Sequence, residues 1–214
     1  MGNQITEMVF VLDKSGSMGG FEDDTVGGFN SMIARQRNVE GRAYVSTVMF
    51  SNRSTVIHDR IDINSVAPLT LDDYRVGGGT ALLDAIGSSI EHIASVHKYA
   101  RPEDVPEHTV FVITTDGMEN ASCTYGSEQV KQMIKQKTEE HGWEFIFLAA
   151  NIDAVETAGN IGIRRERAMN FSQSHAGVRQ NYEGVERIMC CMRQDHSSFA
   201  DMDIKDIVKE KENG

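Results

Sequence analysis

"MVFVLDKSGSMGG", residues 8–20, decides how this chain is read. The apolar run reads as a buried strand over residues 6–12, closed by Asp13. Asp13, Ser15 and Ser17 then follow at alternate positions among glycines, so all three side chains can point the same way. A strand ending in one carboxylate and two hydroxyls matters because open α/β sheets place their chemistry at strand ends.

Working outward, "DDTVGGFNSMIARQRN" puts Val26, Phe29 and Ile33 on one helical face, with Asp24 or Thr25 as the expected N-cap. Gly27 and Gly28 weaken that helix, which suggests close packing against a sheet. "RAYVSTVMFS" and "STVIHDRID" read as strands paired in a hairpin. "VGGGTALLDAIGSSIEHIASVHKYA" reads as a glycine loop and then a helix starting at or near Thr80. "HTVFVITTD" is a near-continuous apolar strand of the kind buried on both faces, closed by Asp116. A helix over Ser127–His141, the strand "WEFIFLAA", a short helix after Asn151, a short strand at Ala168–Phe171 and a long helix over Ser174–Met192 complete the series. Alternating strands and helices imply a doubly wound, Rossmann-like α/β fold with a mostly parallel sheet flanked by helices. In that order the first and fourth strands lie side by side, and Asp13 and Asp116 meet in one crevice.

The totals fit a soluble domain. The chain has 214 residues, a net charge of −11 and a pI near 5.1, which disfavours nucleic acid or an anionic membrane as partner. No apolar run is long enough to cross a bilayer, and the N-terminus lacks the pattern of a signal peptide. Gly2 with Thr6 raises myristoylation only as a short, weak match. Three cysteines, two of them adjacent (Cys123, Cys190, Cys191), make no disulfide framework and point to a reducing cytoplasm.

Asp13, Ser15, Ser17, Thr80 and Asp116 offer only oxygen, the donor that hard divalent cations prefer. Mg²⁺, with Mn²⁺ as a substitute, fits two carboxylates and three hydroxyls and leaves a coordination position open. Taken singly, "DKSGS", "GGGT" and "TTDG" are ordinary cap and turn chemistry. Together, each at a loop that the topology sends to one crevice, they favour a metal site.

Asp13-x-Ser15-x-Ser17, Thr80 after a glycine-rich loop, and Asp116-Gly after an apolar strand resemble the metal-ion-dependent adhesion site of von Willebrand factor A domains. The resemblance covers about residues 4–193, leaving 194–214 as a charged C-terminal tail, and "DGMEN" is similar to stand-alone bacterial members. It implies that Ser15 and Ser17 coordinate the metal directly, Asp13 chiefly through water, and Thr80 and Asp116 interchangeably. The open position would take a Glu or Asp from a protein partner, making the chain a cytoplasmic adaptor. In members that switch, the last long helix moves.

The rival from another class is a Mg²⁺-dependent phosphoryl hydrolase, which would want a second Asp where Ser15 stands. The serine-hydrolase elbow fails at the same position, and no Walker or dinucleotide loop occurs, so no enzyme is expected. His92 and His97 fall on different helix faces and read as surface residues. Asp84 is open between a support for the glycine loop and first-turn helix chemistry. Glu22, Asp23 and Asp24 read as a solvated face, Trp143 as core, and Met18 as either buried or a partner contact. Of Cys190 and Cys191, one is expected in the core and one partly exposed.

Overall fold

The first strand, β1 (Ile5–Asp13), is buried at all nine positions, Glu7 and Asp13 included, about the apolar run of residues 8–12. It is flanked by β2 (Arg42–Phe50) and β4 (His108–Thr115), each in parallel register with it. The computed structural model describes residues 5–209, less the side chains of Ser197 and Ser198, so Gly2 lies outside the described residues. With β3 (Ser54–Asp62), β5 (Glu144–Ala149) and β6 (Ala168–Asn170), the sheet has the order β3-β2-β1-β4-β5-β6. Only β3 runs antiparallel, as the returning arm of the hairpin with β2.

Alternation along β1 divides the core. Met8, Phe10 and Leu12 face one side, where they join Phe29 and Ile33 of α1 (Glu22–Gln36) and Val185 and Met189 of α5 (His175–Gln194). Val9 and Val11 face the other, among Ile86 and Ile90 of α2 (Leu82–Tyr99) and Val130 and Ile134 of α3 (Ser127–His141). Each such side chain contributes about 1.5–3 kcal/mol on burial. The small α4 (Ala154–Asn160) covers the second side through Ala154 and Ala158.

Several local expectations are corrected. Helix α1 starts at Glu22, and neither Asp24 nor Thr25 is its cap. Three acidic residues in its first turn already complement the helix dipole. Gly28 is tightly packed, but against helix α5 rather than the sheet: a Cβ there would lie 2.5 Å from the Tyr182 ring. Gly27 packs against nothing within 4 Å.

Helix α2 begins at Leu82, near Thr80 as expected, and the Thr80 backbone itself is bonded to the Asn120 side chain. The segment read as a charged tail holds two further short helices, α6 (His196–Asp201) and α7 (Ile204–Lys209). Phe199, Ile204 and Ile207 bury themselves in the first core between the charges, and Arg167 donates to the carbonyls of Phe199, Ala200 and Met202.

Candidate metal centre

β1 and β4 end side by side, so Asp13 and Asp116 emerge at the same edge of the sheet. Asp13 Oδ1 accepts the Ser15 backbone N–H at 2.7 Å, and Oδ2 accepts the Thr115 hydroxyl at 2.6 Å. The Asp13 carbonyl accepts the buried Tyr74 hydroxyl, which fixes the strand end. The hydroxyls of Ser15 and Ser17 lie 3.1 Å apart, and Ser17 donates to Asp116 Oδ1 at 2.5 Å. Thr80 joins them: Gly117, beside Asp116, faces both Ser17 Oγ and Thr80 Oγ1, each 3.5 Å from where its Cβ would be. Asp13, Ser15, Thr80 and Asp116 are all at most 3% exposed, whereas Ser17 is open to solvent.

The loops are held by backbone donors. Gly77 N–H donates to the Lys14 carbonyl and Gly16 N–H to the Gly78 carbonyl, laying the glycine loop along the β1 loop. Gly78 has φ +82°, a left-handed backbone that favours glycine, and its Cα faces the Asn52 side chain. Asn120 Oδ1 accepts the Thr80 N–H at 2.8 Å, and Asn120 N–H donates to the Thr80 carbonyl. Glu119 accepts the Leu83 N–H at the start of α2 and those of Ala121 and Ser122 in its own loop.

Asp84 lies in the first turn of α2, where a carboxylate complements the dipole, and its side chain binds a loop other than the glycine loop. It accepts the backbone N–H groups of Cys123, Thr124 and Tyr125. Burial alone would raise its carboxyl, but those donors outweigh it and hold the group below its ordinary value.

Burial pushes the Asp13 carboxyl up against the opposing bonds from Thr115 and Ser15. It also pushes Asp116 up, reinforced by the charge of Asp13. Two buried carboxylates, both pushed up by burial and Asp116 further by the charge of Asp13, ringed by three hydroxyls, form an oxygen donor set whose charge a divalent cation would offset. The residues therefore fit such an ion. Among the described residues no group of three or more His, Cys, Asp or Glu side chains could hold a metal; this crevice is built largely of hydroxyls.

Thr115, Glu119, Asn120 and Tyr74 carry structural roles that the sequence reading did not assign. Thr115 and the Glu-Asn pair stand inside the motif stretches "TTDG" and "DGMEN". Gln173 has no such signal, yet its amide donates to Asp116 Oδ2 at 2.6 Å.

Residues outside the crevice are also corrected. Asp24 is not solvated: it pairs with His175 and Arg179 of α5, each at 2.5 Å. His97 is largely buried, 3.3 Å from Glu7, whereas His92 is half exposed. Met18 is buried, and it is Met118 that is exposed beside Asp116. Trp143 is core, as expected. Cys190 and Cys191 are both half-buried, and burial pushes the Cys190 thiol up to about 11, away from a reactive thiolate. No described helix is long and apolar enough to cross a membrane.

Scanned against protein families and against curated proteins, the chain matches none. Solved structures do match in shape. A von Willebrand factor type A structure from Catenulispora acidiphila superposes with a TM-score of 0.59 at 11% identity, covering 85% of this chain and 42% of that one. Proximal thread matrix protein 1 from the mussel byssus gives 0.57 at 16% identity, covering 87% and 46%. A second structure of that mussel protein, described with a zinc-occupied adhesion-site motif, gives 0.58 at 16%, covering 86% and 46%. This chain thus spans less than half the length of each. At these identities the likeness concerns shape alone: the chain has the fold of a von Willebrand factor A domain.

Proposed function

We propose that this chain is a divalent-metal-dependent protein-interaction module that captures an acidic side chain of a partner. The observation that carries the reading is the hydrogen-bonded run from Ser15 through Ser17 to Asp116, beside the buried carboxylate of Asp13. Ser15, Ser17, Thr80, Asp13 and Asp116 would hold the ion, Mg²⁺ or Mn²⁺. The zinc-bearing mussel structure supports a divalent ion on this fold. The bound ion supplies the positive charge that an acidic chain of net charge −11 otherwise lacks for a partner carboxylate. The protein's own part is to fix the oxygens: Thr115 and the Ser15 N–H orient Asp13, and Asn120 orients Thr80. Exposed Met118 offers an apolar contact beside the acidic anchor. Three cysteines, two of them adjacent, fit a reducing cytoplasm for such an adaptor.

Crystals grown with Mn²⁺ and acetate test this through anomalous scattering. The expected result is one ion among the five side chains, with an acetate oxygen at its outer position. An ion elsewhere, or none, overturns the reading. The same protein, Mg²⁺-loaded, is expected to leave a phosphate ester unhydrolysed; turnover that disappears in Asp13→Ala would favour the hydrolase instead.

A further inference from the structure

Gln173 reaches the crevice from the turn between β6 and α5. Its side-chain amide donates to Asp116 Oδ2 at 2.6 Å and to the Ser17 carbonyl at 3.0 Å. Its own carbonyl oxygen accepts the side-chain amide of Asn151. Asn151 stands at the exit of β5 with φ +57°, a left-handed backbone that asparagine tolerates. Loops following β1, β4 and β5 therefore meet on one carboxamide. Asp116 Oδ1 already accepts the Ser17 hydroxyl, so each oxygen of this carboxylate accepts a protein hydrogen bond.

Each carboxylate oxygen offers about two lone pairs, so a donated N–H leaves a cation fewer of them and makes the oxygen a weaker ligand. We infer that Gln173 is an internal latch: its carboxamide occupies Asp116 and the Ser17 backbone, and it swings aside when an ion and a partner carboxylate load the crevice. The inference rests on the metal-site reading above. The side chain suits the task. It is neutral, so leaving strands no charge, and it is only half-buried, so its polar end can turn into water. A carboxylate here would add a ligand, and a lysine would close the site by its own charge.

The test is Mn²⁺ binding followed by electron paramagnetic resonance in the native protein, Gln173→Met, Gln173→Asn and Asp116→Ala. Met keeps the volume without the donors, and Asn is too short to reach. Both are expected to bind Mn²⁺ roughly ten-fold more tightly, the worth of one charge-assisted hydrogen bond. Both should also melt at a lower temperature without metal, and Asp116→Ala should lose binding. The direction discriminates, because removing a residue that only braces the ligands weakens binding. Equal or weaker binding in both Gln173 variants, with loss in Asp116→Ala, overturns the latch and leaves the metal reading standing. No binding in any of the four overturns both.

Discussion

At the scale of single residues, the crevice depends on which donor each carboxylate oxygen accepts. Thr115 is fully buried and its hydroxyl is the partner of Asp13 Oδ2. Thr115→Val keeps the shape and leaves that oxygen unpaired, which costs roughly 1–3 kcal/mol. Urea denaturation is expected to show the loss in metal-free protein, and added Mg²⁺ should recover part of it, because the ion takes over the orphaned charge. The motif residues were legible because their types and spacing are local: Asp13, Ser15 and Ser17 alternate within one turn, and Asp116 ends an apolar strand. Gln173 was not, since it lies 57 residues from Asp116 and arrives only through the path of the chain after β6. Asp84 was half legible. It is a capping carboxylate, but it caps a loop 39 to 41 residues away rather than its own helix.

Among the elements, the contact of α1 with α5 combines one close approach and one charged cluster. Alanine at a helical glycine usually gains up to about 1 kcal/mol. Gly28→Ala is expected to reverse that sign, because its Cβ would enter the space of the buried Tyr182 ring, and overpacking costs about 1–3 kcal/mol. A fall in the urea midpoint checks it, and Tyr182→Leu in the same chain should relieve it.

The His175 hydrogen bond, reinforced by Arg179, holds the Asp24 carboxyl below its ordinary value. A carboxyl lowered on folding stabilises above its unfolded pKa, near 3.8, and that stability is lost as the pH falls through the folded value. Asp24→Asn is therefore expected to differ from the native protein at neutral pH and to converge with it in strong acid, as thermal melts across that range would reveal. Periodicity identified both helices, but could not show which face met which. Gly28 marked close packing without naming Tyr182 as the neighbour.

For the whole molecule, the core follows from hydropathy, because a sheet covered on both faces demands continuous apolar strands, and the strand order follows from the doubly wound crossovers. The final segment followed a different logic. Its many charges conceal Phe199, Ile204 and Ile207, which dock it together with the Arg167 hydrogen bonds to its carbonyls. Phe199→Ala removes a fully buried ring that also stacks on the Arg167 guanidinium, 4.4 Å from its centroid. Such truncations cost about 3–5 kcal/mol, so the midpoint should fall steeply, whereas an undocked tail would show no change. The crevice at the end of β1 and β4 is proposed to bind a divalent cation. Thermal unfolding in millimolar Mg²⁺ against EDTA, on the native protein and Asp116→Ala, tests it most directly. A metal-dependent rise is expected in the native protein, worth about 2.7 kcal/mol when Mg²⁺ is a hundredfold above its Kd, and none in the variant. An absent rise in the native protein, or an equal one in Asp116→Ala, would contradict it.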